Sequence, residues 1–136
     1  MPYTGGYPQA AGVQVARGRY DFAVDGGAVG DIDLTSSAQI PANAVITHGF
    51  MEVDTAVVGS GASVAIKVEG AADIVAAAAV SGAPWSSTGR KSVIPVATGA
   101  TSVKTTAARK IQATVSAAVL TAGAFDVVLF YTVLPD

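Results

Sequence analysis

The side chains that most resemble catalytic groups lie in one strand-like stretch, residues 40–58, IPANAVITHGFMEVDTAVV. His48 is the only histidine, which excludes a two-histidine metal site within one chain and leaves a single imidazole for any chemistry. Glu52 and Asp54 are two residues apart, so a strand would place both carboxylates on one face, as in a glycosidase pair. Their neighbours are ordinary strand residues. We therefore expect no catalysis here, and interpret His48 as a half-exposed strand histidine or a pH-sensitive interface contact.

The polar loops offer no stronger site. Asp25, Asp31 and Asp33 surround glycines in VDGGAVGDID, an oxygen-rich loop of the kind that can hold calcium. The spacing lacks the closing glutamate of the calcium-binding loop, so a turn with solvated carboxylates is favoured. GGAVG and GSG are not followed by Lys-Ser or Lys-Thr, which excludes a P-loop. The loop serines, Ser81, Ser86 and Ser87, have no general base nearby in sequence.

Cysteine is absent, which excludes disulfides and thiolate metal sites. We expect a protein that is not an enzyme and that uses no cofactor or metal. No apolar run reaches the ~20 residues of a membrane span, and the first 12 residues do not resemble a signal peptide. We expect no membrane partner and production in the cytoplasm.

The 136 residues suit one domain, and their composition indicates association with another chain. Hydrophobic residues make up 51% and charged residues 13%, which leaves few charges to cover the surface. Small Ala and Gly side chains are the alternative explanation. The net charge of −2 predicts no direct nucleic-acid binding. The charge is uneven, with a basic segment in the second half that either steers subunit docking or forms a solvated edge: Arg90, Lys91, Lys104, Arg109 and Lys110.

Alternating apolar and polar residues predict eight or nine short strands and no long helix. The longest strand falls within residues 40–58, with Val45, Met51, Val53, Thr55 and Val57 facing the core and a possible kink at Gly49. Residues 13–17 and 20–24 suggest two half-strands around a bend at Gly18, and Ile74–Val80 suggests a buried strand. The spacing predicts an all-β, jelly-roll-like antiparallel sandwich over residues 13–136.

Three regions stand out as contact surfaces. Residues 1–12, rich in Gly, Pro and Tyr, predict an extended arm in which Tyr3 and Tyr7 could anchor to a partner, or else a disordered tail. Trp85 sits in a polar loop, either as a lid on the sandwich or as an interface anchor. The closing strand, FDVVLFYTV, carries Val128 and Phe130 on the face opposite its core residues, so a second layer or a partner is expected to cover them.

Three segments together resemble a known family: IPANAVITHGFMEVDTAV, then VAIKVEGAADIVAA, then KTTAARKIQATVSAAVLTAGAFDVVLFY. This progression, from Asp31 to Tyr131, is similar to that of capsid decoration or cement proteins of tailed bacteriophages, small β-rich head proteins encoded beside the major capsid protein. The resemblance implies a structural virion protein, assembled in the host cytoplasm, that binds the capsid exterior and cements neighbouring major capsid proteins. It also implies a homo-oligomer, a dimer or a trimer, often with a jelly-roll fold.

The partner interface expected from these arguments comprises Tyr3, Tyr7, Trp85, Arg90, Lys91, Val128 and Phe130. Two alternatives remain: another phage structural component, such as a head fibre or tail protein, and a small carbohydrate-binding β-sandwich. The second alternative predicts a row of exposed aromatic residues.

Overall fold

The structure, a computed structural model, describes residues 12–96 and 102–134, which form nine antiparallel strands and one single-turn helix. Tyr3, Tyr7 and nearly all of the expected arm lie outside the described residues. Within the described part of the chain, no helix is long and apolar enough to cross a membrane. The elements are β1 (Gln14–Asp21), α1 (Phe22–Asp25), β2 (Gly30–Asp33), β3 (Ala44–Val58), β4 (Ser63–Lys67), β5 (Val75–Ala79), β6 (Gly89–Val93), β7 (Val103–Lys104), β8 (Gln112–Ser116) and β9 (Ala122–Val133).

The strands form two sheets in a jelly-roll order. One sheet runs β1-β9-β3-β6, with the two-residue β7 also paired to β3, and the other runs β2-β8-β4-β5. Among the described strands, only β4 and β5 pair with their neighbour in sequence, and the other connections cross between sheets, except the one from β6 to β7. The prediction of an all-β jelly-roll sandwich is confirmed. We call the two layers the five-stranded and the four-stranded sheet.

The longest ladder joins β3 and β9, and its irregularities decide which β3 side chains reach the core. The partner of Ile46 is Tyr131 and that of His48 is Phe130, so Thr47 is an extra residue in β3. Such a bulge reverses the side-chain alternation. Ile46 is therefore buried instead of Val45, whereas Met51, Val53 and Val57 face the core as expected. A second shift leaves Thr55 exposed, contrary to expectation.

The predicted kink at Gly49 is wrong, because β3 is continuous through it. Gly49 is instead a point of close approach between strands. A Cβ at this position would lie 2.3 Å from the carbonyl oxygen of Val128 and 2.9 Å from Cδ2 of Leu129. Only glycine allows β9 to lie this close to β3.

The N-terminal strand is also simpler than predicted. β1 pairs with β9 over eight consecutive residues without a shift, so Gly18 does not divide it. A Cβ at Gly18 would lie 2.7 Å from Cβ of Leu34, so this glycine admits the connection after β2. The strand ends at Asp21, whose Oδ1 accepts a hydrogen bond of 3.0 Å from the Ala23 amide and caps α1. The predicted second half-strand, residues 20–24, is thus wrong beyond Asp21, because the side-chain cap favours a helical turn of the backbone there.

Aromatic side chains centre the core between the sheets. Trp85 has no exposed surface, its ring centre lies 5.0 Å from that of Phe125, and its indole N–H donates to the Val64 carbonyl at 3.2 Å. Tyr20 packs on the same phenyl ring, with centres 5.2 Å apart. The alternating apolar side chains of residues 64–68 and of β9 face this core, with these residues buried: Val64, Ile66, Val68, Phe125, Val127, Leu129 and Tyr131.

Within residues 74–80, Val75–Ala79 form a strand, β5, but not a buried one. Ile74 and Val80 lie in the core, whereas Ala76, Ala77 and Ala79 are exposed. The reason is topological, because β5 is at the edge of the four-stranded sheet and has one neighbour, β4. Alternation cannot distinguish an edge strand from a central one when the side chains are all alanine.

Candidate interaction surface

The outward face of the five-stranded sheet is ordered in rows, because the register aligns side chains of three strands. Phe130 of β9 lies between Val15 and His48, and Val128 lies between Arg17 and Phe50. The third row is charged and runs Arg19, Asp126, Glu52 and Arg90 across four strands. Two apolar rows therefore adjoin one charged row. We call the set Val15, His48, Phe50, Val128 and Phe130 the aromatic patch.

The rings of the aromatic patch contact one another. The His48 and Phe130 rings are stacked, with centres 4.7 Å apart and an 18° angle between planes. Phe50 and Phe130 are tilted at 41°, with centres 6.3 Å apart. Val15 is 46% exposed, and both phenyl rings are partly exposed. Clustered aromatic rings are unfavourable on a sheet face that is exposed to water. The aromatic patch is therefore a candidate contact surface.

Thr47 orients the histidine of this patch. Its hydroxyl lies 2.9 Å from Nδ1 of His48 and 3.3 Å from the Phe130 carbonyl oxygen. The bulge places this hydroxyl beside the ring, because Thr47 is the inserted residue of β3. A hydroxyl carries one proton, so it donates to the carbonyl while accepting from Nδ1–H, or donates to an unprotonated Nδ1. Both arrangements hold the imidazole flat on the phenyl ring.

The side chains of the charged row form ion pairs with one another and with Asp54. The Arg19 guanidinium lies 2.7 Å from Oδ2 of Asp54 and 3.0 Å from Oδ2 of Asp126, and these hydrogen bonds, to Asp54 first, raise the pKa of Arg19. Arg90 lies 3.5 Å from Oε1 of Glu52. Exposed pairs of this type contribute at most about 1 kcal/mol each to stability, so they orient the side chains more than they stabilise the fold.

A groove separates the aromatic patch from the charged row. It has a volume of about 330 Å³ and is lined by Arg17, Gly18, Phe50, Glu52, Asp126 and Val128. The Arg17 guanidinium forms no hydrogen bond or ion pair with the residues that the structure describes. Phe50 and Val128 supply apolar contacts in this lining, and the Arg17 guanidinium can donate hydrogen bonds to a carbonyl group of another chain.

The outward face of the four-stranded sheet is different, because its polar side chains satisfy one another. Asp33 accepts hydrogen bonds from Gln112 at 2.7 Å and Lys110 at 3.0 Å, and these bonds lower its pKa. Asp31 accepts from Thr114 at 2.7 Å, with Lys67 at 3.5 Å. This face is typical of one that remains in water, which leaves the aromatic patch as the better candidate for contact.

The basic segment of the second half is not a continuous free edge. Arg109 binds both carboxylate oxygens of Glu69, at 2.8 and 3.2 Å, and Thr106 adds two hydrogen bonds to the same group. Arg109 first and Thr106 second lower the pKa of Glu69. Nζ of Lys91 donates to the carbonyl oxygens of Ser87 and Thr88, at 3.0 and 3.1 Å. Most of these bases therefore pair locally.

The structure separates the predicted interface residues. Val128 and Phe130 lie in the aromatic patch, and Arg90 ends the charged row with 73% of its side chain exposed. The Lys91 ammonium group donates hydrogen bonds to the preceding turn, at Ser87 and Thr88. Trp85 lies in the core, which is nearer to the lid interpretation, and its burial contradicts its inclusion in the expected interface because an indole without exposed surface cannot contact a partner.

Sequence reasoning missed Val15, His48 and Phe50 as members of one surface. The alternation of β3 already placed His48 and Phe50 outward, and this part of the prediction is confirmed. The pairing of β3 and β1 with β9 carried no local signal. Knowledge of that pairing alone would have identified the patch.

The other candidate sites are dispersed. Among the described residues, no group of three or more His, Cys, Asp or Glu side chains could hold a metal ion. The predicted cluster of Asp25, Asp31 and Asp33 is split, because Asp25 accepts from the Asp21 amide in the first turn of α1 while the other two lie on β2. A second depression, of about 440 Å³ beside Val58, Val80 and Ser86, has no titratable side chain in its lining.

No protein-family model matches the sequence, and no curated protein matches it. Two solved structures share the fold. A chain of the cyanophage Pam1 capsid asymmetric unit matches with a TM-score of 0.60 and 15% identity, over 98% of this chain and 94% of that chain. A chain of the capsid of Ralstonia phage GP4 matches with a TM-score of 0.62 and 18% identity, over 98% and 93%. The protein therefore has, along nearly its whole length, a fold found in the capsids of two phages.

Proposed function

We propose that this protein is a structural component of a phage virion, where it binds the capsid exterior and cements neighbouring major capsid proteins. The observation that supports this most strongly is the full-length fold shared with chains of two phage capsids. In each comparison the match covers more than nine-tenths of both compared chains, so the similarity extends over the whole fold rather than a common motif. The low charge content and the resemblance of residues 31–131 favour the same role.

We infer that the aromatic patch is the surface of this protein that binds the major capsid protein. It combines partly exposed rings, an adjoining groove and Arg17, whose guanidinium has no partner among the described residues, whereas the opposite face of the sandwich is polar and internally paired. Apolar contacts at the centre with charged groups at the rim are usual for protein interfaces. Cementing then requires each copy to contact more than one capsid subunit.

Binding to purified capsids that lack this protein tests the proposal. Phe130→Ala should weaken binding about 30-fold, because a central aromatic anchor typically contributes ~2 kcal/mol or more. Thr114→Ala is the matched control, since Thr114 is also in a central strand but on the polar outer face, and it should bind like the unaltered protein.

Cementing itself is measured by heating capsids with and without bound protein. Occupied capsids should release DNA at a higher temperature, and the Phe130→Ala variant should give less protection at equal concentration. Failure of the unaltered protein to bind capsids contradicts the proposal. Equal binding by Phe130→Ala contradicts the assignment of the patch.

The contribution of the arm is a separate question. Deletion of residues 1–12 should weaken capsid binding if the arm adds a strand to a capsid subunit. Unchanged occupancy would exclude that mechanism. Labelling of intact virions distinguishes the alternative of a head fibre or tail protein, because a cement protein should cover the whole head.

A further inference from the structure

Three of the four sheet edges are protected against pairing with another chain. The edge of β1 is partly capped, since the amide of Arg17 donates to Oε1 of Gln39 at 3.1 Å and that of Arg19 to the Leu34 carbonyl at 2.8 Å. β6 carries Arg90 and Lys91 in its five residues. β2 has only four residues, of which Asp31 and Asp33 are charged. Capping, charge and shortness are the usual ways in which proteins block edge pairing.

The fourth edge, that of β5, carries no charged side chain, and the backbone hydrogen bonds that cap it lie at its two ends, where the Ala79 carbonyl accepts from the Gly82 amide at 3.1 Å and the Asp73 carbonyl accepts from the Val96 amide. Its sequence is VAAAA, without charge or proline, and three of its five residues are exposed. β5 pairs with β4 on one side, and no other described strand pairs with it. Nearby apolar side chains extend this surface, because the Val96 amide donates to the Asp73 carbonyl at 2.8 Å, and Val96 and Ile94 are 54% and 79% exposed.

We propose that β5 pairs antiparallel with β5 of a second copy of this chain, which joins the two four-stranded sheets into one sheet of eight strands. The charges of the edge strands favour self-pairing at β5 over self-pairing at the other edges. Self-pairing of β6 would place Arg90 and Lys91 near their own copies, and self-pairing of β2 would do the same for Asp31 and Asp33, whereas self-pairing of β5 brings only alanine and valine together.

Alanine also makes the pairing sterically simple. With Ala77 near the two-fold axis, each side chain of β5 faces an alanine or a valine, and the register shift of β5 against β4 lies between Val75 and Ala78. Five residue pairs bury little area, so we expect weak association, with a dissociation constant in the micromolar range or above. This contact involves a different sheet from the aromatic patch, so the inference does not rest on capsid binding.

Sedimentation equilibrium of the isolated protein, from about 1 to about 500 µM, tests the pairing. The mass should rise from that of the 13.5 kDa chain towards twice that value. Ala77→Lys places a like charge on each side of the axis and should weaken the dimer at least about tenfold. Ala23→Lys is the matched control, since Ala23 is an exposed alanine in α1, and should leave the dimer unchanged.

Cysteine cross-linking provides a second measurement that does not depend on tolerance of lysine. The chain has no cysteine, so Ala77→Cys introduces a single thiol. Directly opposed strand residues have Cβ atoms ~4.5–5.5 Å apart, close enough for a disulfide after small adjustment. Ala77→Cys should form a covalent dimer under mild oxidation at least about tenfold faster than Ala23→Cys. A monomer at every concentration, a dimer indifferent to Ala77→Lys, or equal cross-linking of the two cysteine variants overturns the proposal.

Discussion

Replacement of Trp85 by phenylalanine should destabilise the protein without altering its outer surface. The indole is fully buried, packs on Phe125 and donates to the Val64 carbonyl at 3.2 Å. Loss of that hydrogen bond costs roughly 0.5–1.5 kcal/mol. The smaller ring loses contacts and leaves a void, at about 1–2 kcal/mol more. We expect the free energy of unfolding to fall by about 2–3 kcal/mol.

Calorimetry translates this loss into a temperature. Unfolding entropy is about 2.1 cal/mol/K per residue, so a chain of 136 residues should lose roughly 7–10 °C in Tm. Ser86→Ala is the control in the same loop, because its side chain is exposed and surface substitutions usually change stability by no more than about 0.5 kcal/mol. A Tm loss below about 2 °C, combined with weaker capsid binding, would refute the reasoning, since it would mean that the indole faces outward.

Three further results follow from the geometry. Gly49→Ala should sharply lower the urea midpoint, because its Cβ would lie 2.3 Å from the Val128 carbonyl oxygen, whereas Gly70→Ala, with no atom within 4 Å, should leave the midpoint nearly unchanged; equal midpoints would contradict the close approach. Burial first, with nearby carboxylates, raises the pKa of Tyr20 to about 12, above the ~10 of an unfolded tyrosine. Its contribution to stability is therefore complete below pH 10 and declines as the pH rises towards 12, and Tyr20→Phe should remove that part of the alkaline decline in a series of denaturant titrations. The pKa of Glu69 is lowered rather than raised, so its effect on stability has the opposite pH dependence. The stabilisation by Glu69 is present above the unfolded pKa of about 4.5 and is lost as the pH falls through the folded value. Glu69→Gln should flatten the acid limb, and an unchanged limb would show that the ion pair with Arg109 is immaterial.

Much of the candidate surface could be predicted from local alternation. The outward positions of Val128 and Phe130 follow from FDVVLFYTV, and those of His48 and Phe50 follow from the second half of β3. That these residues form one surface could not be predicted, because β3 and β9 are about 80 residues apart and no local sequence pattern indicates which strands pair. Trp85 shows the same limit, since a polar loop sequence does not indicate that its tryptophan turns into the core.

The sequence by itself determined the strand-rich class, the approximate number of strands, and the core positions of Met51, Val53 and Val57, because side chains alternate with a period of two whatever their partners. Only the tertiary structure decided three matters: the bulge at Thr47 that exchanges Val45 for Ile46 in the core, the exposed edge position of β5, and the meeting of His48, Phe50 and Phe130. Each depends on register or strand order. These are set by the packing of distant segments against one another, which no short stretch of sequence contains.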